Sequence, residues 1–200
     1  MDEPLTRFPK SLPGGVTLRP LKAADEAALA DFFRLIPVDE RQLFKDDVTR
    51  REVIHAWINH LDYANILPIL ALQEGRIVAD ATLHRDRGGW SRHVARIRLT
   101  LDPGFRGRGL GRSLVKEFID LAASLNIAIL TADVLDVQKA AQDLFETLGF
   151  VAVATLPQQA IDLAGRVHDV VVYSLTVTPP EKLAREASLS EDEADVGGGS

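Results

Sequence analysis

Helical spacing of apolar residues marks the first third of the chain. After a short apolar strand at residues 16–19, the segment that follows Asp25 and ends at Pro37 predicts a helix capped by Asp25. Its apolar face is formed by Leu29, Phe32, Phe33 and Ile36. Residues 49–52 (TRRE) match a capping box and predict a second helix. The apolar positions of that helix are Val53, Ile54, Trp57, Ile58 and Leu61.

From residue 69 onward the spacing of the apolar residues is shorter than that of a helix, which indicates strands. Residues 69–73 and 76–84 predict a hairpin across Glu74-Gly75. Residues 93–101 alternate between apolar and polar side chains, as a strand with one buried face does. Later in the chain, strands are predicted at 128–135, 150–156 and 167–177, and amphipathic helices at 110–126 and 138–148.

This order of elements predicts a mixed α/β fold built on one central sheet of about seven strands, flanked by about four helices. Residues 1–15 contain prolines and a Gly-Gly pair and are expected to form an extended arm. The folded domain is expected at 16–178. Residues 179–200 are polar and acidic, end in a linker-like Gly-Gly-Gly-Ser, and are expected to be a disordered tail.

Composition narrows the possible functions. The net charge of −6 argues against a general nucleic-acid binder, which needs a basic face. Much of that charge belongs to the tail, where six acids oppose two bases from Glu181 onward. The chain has no cysteine, and its histidines show no metal-ligand spacing, so no metal site is expected. It has no apolar run of membrane-spanning length and no signal-peptide pattern, so a cytoplasmic location is expected.

The clearest chemical signal is the glycine-rich segment at residues 102–114, DPGFRGRGLGRSL, between a predicted strand and a predicted helix. The first turn of a helix presents unpaired N–H groups and a positive dipole end. Glycines let the backbone approach an anion closely, so such a turn can hold phosphate or pyrophosphate. Arg106, Arg108 and Arg112 add charges that pair with phosphate.

Two other nucleotide motifs do not fit this segment. No Gly-Lys-Ser/Thr follows, as a P-loop requires. The dinucleotide pattern G-x-G-x-x-G fails because Gly107 and Gly109 are followed by Arg112 where the third glycine belongs. A tight strand-to-helix connection with a solvated basic surface would also explain the turn taken alone.

The turn resembles motif A of the GNAT superfamily of N-acetyltransferases, Gln/Arg-x-x-Gly-x-Gly/Ala, with Arg106, Gly109 and Gly111 at its fixed positions. A second family pattern, Asn-x-x-Ala-x-x-Leu-Tyr-x-x-Leu-Gly-Phe, is similar to residues 138–150, QKAAQDLFETLGF. The resemblance covers roughly residues 16–177, and the order of predicted elements agrees with it.

The resemblance implies acetyl-CoA, or another acyl-CoA, as co-substrate. It implies that the backbone of the turn binds the pyrophosphate and that residues 99–101 pair with the pantetheine arm. The implied cofactor-binding residues are Leu99, Thr100, Leu101, Arg106, Gly107, Arg108, Gly109, Leu110, Gly111, Arg112, Ser113, Gln138 and Ala141.

Two positions that often carry catalytic groups in the family differ here. The helix tyrosine that serves as an acid is Phe145, and the glutamate before motif A is Arg96. The candidate bases are Asp133, on the strand after the motif helix, and His84, at the end of the central hairpin. The alternative interpretation of Asp133 is a solvated or arginine-paired surface acid, and that of His84 is a surface residue at the end of a strand. Asp80 interrupts an apolar run and is either an edge charge or a partner for a substrate amine.

The predicted function is therefore transfer of an acyl group from acyl-CoA to a primary amine of a small molecule or protein. A monomer or homodimer is expected, with no nucleic-acid or membrane partner. The changes at Phe145 and Arg96 leave open a non-catalytic acyl-CoA-binding regulatory module. A phosphate or nucleotide binder that uses the same turn is a third hypothesis.

Overall fold

A computed structural model describes residues 5–179 and 182. Its eight strands are β1 (Lys10–Leu12), β2 (Val16–Pro20), β3 (Ile66–Gln73), β4 (Arg76–Arg85), β5 (Val94–Leu101), β6 (Ile129–Leu135), β7 (Val151–Ile161) and β8 (Val167–Thr176). They form one sheet in the order β1-β2-β3-β4-β5-β6-β8-β7. All neighbouring strands are antiparallel except β5 and β6, which are parallel.

Helices cover both faces of the sheet. They are α1 (Glu26–Leu35), α2 (Val38–Arg41), α3 (Arg51–Asn59), α4 (Leu110–Ala122) and α5 (Lys139–Thr147). One apolar core joins α4 and α5 to the sheet. A second core packs α1 and α3 against Leu70 and Ile77 on the opposite face. Because successive strand residues point to opposite faces, β3 contributes Ile69 to the first core and Leu70 to the second.

The two halves of the sheet separate between β5 and β6. Their register includes only Val94 with Ile129, Ala95 with Leu130 and Arg96 with Thr131. Beyond Arg96, β5 continues beside β4 as far as Leu101, while β6 continues beside β8 as far as Leu135. This divergence opens a cleft through the middle of the sheet, directly ahead of the glycine-rich turn.

The predicted fold class, a mixed α/β sheet flanked by helices, is confirmed, with one strand and one helix more than predicted. The additional strand is β1, which lies in the predicted N-terminal arm and pairs with β2. The additional helix is α2, a single turn after Pro37. The division into an arm, a domain at 16–178 and a tail stays a prediction, and most of the predicted tail lies outside the described residues.

Both predicted helix caps are wrong. The Asp25 carboxylate accepts two hydrogen bonds from the Arg19 guanidinium, at 2.6 and 2.7 Å, and one from the backbone N–H of Lys22, rather than capping α1. The Thr49 hydroxyl donates to Asp47 at 2.5 Å, and α3 begins after Arg50 without a side-chain cap. In each case the side chain that was expected to cap the helix forms hydrogen bonds with a nearby charged or acceptor group instead.

Within the described residues, no helix is both long and apolar enough to cross a membrane.

Candidate functional site

The glycine-rich turn has the backbone of an anion-binding site. Gly107 and Gly109 adopt φ values of 69° and 81°, a left-handed conformation that favours glycine. Gly109 is the N-cap of α4, and the first helical hydrogen bond after it runs from the N–H of Ser113 to the carbonyl of Gly109. The N–H groups that precede Ser113 therefore sit at the positive end of the helix dipole, where an anion is stabilised.

Side chains around Phe105 fix the shape of this turn. The Asp102 carboxylate accepts the backbone N–H of Gly104 at 2.8 Å and pairs with Arg76 at 3.0 Å. Arg76 and Arg108 lie over the Phe105 ring, with their guanidinium carbons 5.8 and 5.4 Å from its centroid. Arg108, predicted to bind the cofactor, is thereby held at the turn.

Gly111 brings the start of α4 close to β5 and α5. A methyl group at this position would meet Leu144 at 3.3 Å, Leu99 at 3.4 Å and Leu101 at 3.5 Å. A side chain at Gly111 would therefore require these leucine side chains to shift. Gly109, in contrast, has no heavy atom within 4 Å of such a group.

The cleft between the diverging strands has a volume of about 1750 Å³ and reaches from the turn to β6, α5 and β8. Leu99, Thr100 and Leu101 line it on the part of β5 that β6 does not pair. Unpaired strand groups can bond an extended, amide-containing chain, as an added strand would. The structure thus brings residues 99–101 and the turn into one continuous surface, while their role in cofactor binding stays a proposal.

Gln138 and Ala141 line the opposite wall of the cleft on α5. The Gln138 side-chain oxygen accepts the backbone N–H of Leu135 at 3.0 Å, which closes the connection from β6 to α5. Ser113 lies one turn into α4 and is not among the residues that line the cleft. The structure therefore places the predicted cofactor residue Ser113 outside the cleft, with its backbone N–H bonded within α4.

Arg106 reaches across the mouth of the cleft to α2. Its guanidinium donates to both carboxylate oxygens of Glu40, each at 2.6 Å, and to the carbonyl of Leu101 at 3.2 Å. Paired guanidinium–carboxylate bonds of this kind are directional as well as charged. Sequence reasoning missed Glu40, because nothing in a four-residue helix 66 positions upstream indicates a contact with the turn.

A cationic group lies at the other end of the cleft. Arg96 and Arg98 project from β5 on the face that α1 and α3 cover, and Lys45 approaches from the segment after α2. Arg96 and Leu101 are five positions apart on β5, which is a distance of about 16 Å at about 3.3 Å per residue. These cations are thus a second set, distinct from the arginines of the turn.

Asp133, one predicted base, lies inside that cationic group. Its carboxylate is 3.2 Å from Lys45 Nζ and 3.3 Å from Arg96 Nε. No ion pair between described residues involves Arg98, so its guanidinium is available to a ligand in the cleft. The Asp133 carboxylate therefore holds Lys45 and Arg96 together at this end of the cleft.

His84, the other predicted base, also lines the cleft, with its Nε2 3.0 Å from the Thr82 hydroxyl. Burial, together with the positive charges of Arg98, Arg96 and Lys45, lowers the pKa of His84 to about 4. The imidazole is therefore neutral at pH 7. The structure brings both predicted bases into the cleft, and their catalytic roles stay predictions.

Phe145 occupies the position at which the family often has tyrosine. Its ring is buried against Phe150 at 5.1 Å and stacks on Tyr173 at 6.2 Å between centroids. The Tyr173 hydroxyl donates to Glu146 at 2.9 Å, and Tyr173 does not line the cleft. Tyr173 is thus not placed to supply the missing acid.

Comparison with known proteins agrees with this geometry. The family model described as the acetyltransferase (GNAT) family matches residues 28–150. The L-amino acid N-acyltransferase MnaT of Escherichia coli (strain K12) is 26% identical over 148 residues, which are 72% of this chain and 84% of that protein. The L-methionine sulfoximine/L-methionine sulfone acetyltransferase of Salmonella typhimurium (strain LT2) is 24% identical over 165 residues, covering 80% of this chain and 94% of that protein.

The fold is also found among solved structures. The protein YncA of Salmonella typhimurium, solved with its cofactor acetyl-CoA, superimposes with a TM-score of 0.67 at 22% identity. The match covers 82% of this chain and 95% of that one.

Proposed function

This chain belongs to the acetyltransferase (GNAT) family and is an acyl-CoA-dependent N-acyltransferase, and we propose that it acetylates the primary amine of a small acceptor carrying a carboxylate, as an L-amino acid does. Acetyl-CoA is the proposed donor, and residues 16–178 the proposed catalytic domain. The non-catalytic alternative is not favoured, because the curated relatives named above are enzymes.

The proposed donor site is the turn together with the open part of β5. The pyrophosphate is bound by the N–H groups at the start of α4, with Arg106 and Arg112 in the cleft supplying positive charge. Arg108, which lies over the Phe105 ring and does not line the cleft, adds positive charge at the turn. The pantetheine arm, which carries two amides, lies along residues 99–101. This places the thioester beside Arg98, at the end of that segment farther from the turn.

The observation that carries the acceptor assignment is the unpaired Arg98 beside Lys45 and Arg96. A guanidinium in a partly enclosed cleft binds a carboxylate through two parallel hydrogen bonds. The relatives from Escherichia coli and Salmonella are named for amino acids or amino-acid analogues, which carry such a carboxylate. We therefore place the acceptor's carboxylate at Arg98 and its amine towards β4.

Calorimetry tests the donor half. Acetyl-CoA should bind with micromolar affinity and ATP should bind far more weakly, because ATP lacks the pantetheine arm. Gly109→Val should reduce acetyl-CoA affinity at least ~10-fold by projecting a side chain into the anion site. Gly89→Val is the matched control, since Gly89 has a similar φ of +70° and open surroundings but lies outside the cleft. Equal affinities for both variants and the wild type would remove the donor site from the turn.

Thiol release tests the acceptor half. L-methionine should react with a kcat/KM at least ~10-fold above that of 3-(methylthio)propylamine, which is the same amine without the carboxylate. Arg98→Gln should abolish most of that preference, whereas Arg87→Gln, in the exposed β4–β5 loop, should keep it. Equal rates for the two amines across a panel of such pairs would contradict a carboxylate-bearing acceptor.

A further inference from the structure

Asp80 is an acidic side chain in the wall of the cleft with no assigned role. In the sheet it lies opposite Leu70 of β3 on one side and Thr100 of β5 on the other. Leu70 belongs to the core under α1 and α3, so Asp80 points to that same face. It therefore lines the acceptor side of the cleft, directly beside the strand segment proposed to hold the donor.

The carboxylate of Asp80 lacks a protein partner. None of the hydrogen bonds and ion pairs between described residues involves it, although the side chain is half-buried. A buried acid is ordinarily hydrogen-bonded or paired, because leaving the charged form without a partner is costly. An unpaired carboxylate that lines a cleft is thus available to a polar group of a ligand.

The charges around Asp80 come from several elements. Arg98 lies diagonally across from it on β5, and Arg96, His84, Lys45, Glu40 and His60 are charged or titratable residues that line the same cleft. On β3 its neighbours on this face are Pro68 and Leu70, which carry no charge. Burial raises the pKa of Asp80 to about 7.

We propose that Asp80 is the residue that removes the proton from the acceptor's ammonium group. This assignment rests on the acyl-transfer function proposed above. With its carboxylate on Arg98, which pairs with Thr82 two residues further along β4, an amino acid presents its nitrogen towards Asp80. Asp133 and His84 lie further towards the start of β5, beside Arg96.

The proposed step balances as follows. Asp80 takes one proton from R–NH3⁺, which leaves a neutral amine with a lone pair. The amine nitrogen attacks the thioester carbonyl carbon, a C–N bond forms, and the C–S bond breaks. The second N–H proton neutralises the CoA thiolate through solvent, and Asp80 releases its proton to solvent. The products are an amide, CoA-SH and one H⁺.

The first test needs no turnover. Carboxyl ¹³C NMR of the full-length, aspartate-labelled protein without ligands should show one aspartate titrating near pH 7. That signal should be absent from Asp80→Asn and present in Asp133→Asn. A spectrum in which Asp80 titrates near pH 4, like an exposed aspartate, would remove the basis for the assignment.

The second test is the pH dependence of turnover with acetyl-CoA and the best amine of the panel. For the wild type, kcat/KM should rise as the pH increases through about 7, because the base must be ionised. Asp80→Asn should lower kcat by ~10²- to 10⁴-fold and lose this rise, while acetyl-CoA affinity by calorimetry stays within ~2-fold. Asp80→Glu should recover part of the rate.

The control measurements distinguish the role of Asp80 from the proposed acyl-transfer function. Asp133→Asn should keep the rise near pH 7, whatever its effect on the rate. A wild type that neither binds acetyl-CoA nor releases thiol would contradict the proposed function itself. An active wild type whose Asp80→Asn variant keeps both its rate and its pH profile would leave the function intact and overturn the role of Asp80.

Discussion

At the level of single residues, Asp80 links the proposed chemistry to the stability of the fold. A carboxyl group whose pKa is near 4 in the unfolded chain and about 7 in the folded protein binds its proton more tightly when folded. Its contribution to stability is therefore most favourable below pH 4. It is lost as the pH rises towards 7, because folding then requires a buried charge or an uptake of protons.

Asp80→Asn should remove this pH dependence. Relative to the wild type, we expect the variant to gain free energy of unfolding between pH 4 and 7 and then to stay level. The full gain is up to about 4 kcal/mol, from about 1.4 kcal/mol for each unit of pKa. Urea unfolding at a series of pH values measures the difference. A constant difference between the two proteins from pH 4 to 8 would mean that Asp80 has an ordinary pKa when folded.

The residues of the proposed donor site follow from the sequence more directly than those of the proposed acceptor site. Gly107, Gly109 and Gly111 are consecutive in a recognisable turn, and local backbone chemistry decides what they do. The sequence shows Asp80 as a charge in an apolar run, but it does not distinguish an edge charge from a partner for a substrate amine. Its position opposite Thr100 depends on the register of β4 against β5, which only the folded sheet provides.

At the level of elements, the contact between α2 and the glycine-rich turn joins the acceptor side to the donor side. The Glu40 carboxylate accepts two hydrogen bonds from the Arg106 guanidinium. A bound pyrophosphate would compete for the same N–H groups. Donor binding would then free the carboxylate of α2, at the edge of the acceptor cleft.

Glu40→Gln should therefore tighten acetyl-CoA binding. Both side chains are partly exposed, so the ion pair is worth about 0.5–1 kcal/mol and the affinity should increase ~2- to 5-fold. The measurement is calorimetric, at two salt concentrations, and the gain should shrink at the higher one. Glu52→Gln, which removes a longer and more exposed ion pair with Arg50 at the start of α3, should leave the affinity unchanged. An unchanged or weaker affinity for Glu40→Gln would show that Arg106 does not contact the donor.

The elements themselves were largely predictable, and their ends were not. The amphipathic patterns of α4 and α5 and the alternation of β5 depend on short spacings that the sequence displays directly. The caps at Asp25 and Thr49 failed because Arg19 and Asp47 compete for the same side chains. Arg19 lies on β2, so its ion pair with Asp25 can be identified only once β2 and α1 have packed together.

For the whole molecule, the described part of the predicted N-terminal arm contacts both the sheet and α4. Three residues of β1 extend the sheet, too few to display an alternating pattern. The same segment is tied to α4, where the buried carboxylate of Glu117 pairs with Arg7 at 2.9 Å and with Lys10. Since the glycine-rich turn lies at the start of α4, this contact helps to fix the helix that carries the proposed donor site.

Glu117→Gln should therefore loosen the segment and destabilise the protein. Removing one partner of a fully buried ion pair costs about 3–5 kcal/mol. Arg7 and Lys10 are about one-third exposed and can be solvated, so we expect about 1–3 kcal/mol, or a fall of about 2–10 °C in Tm. Hydrogen exchange should show faster exchange at β1 than at β4 in the variant. Asp120→Asn, an exposed acid on the same helix, should change the free energy of unfolding by less than about 0.5 kcal/mol. If Glu117→Gln unfolds like the wild type while β1 stays protected, backbone pairing with β2 alone is what holds the segment.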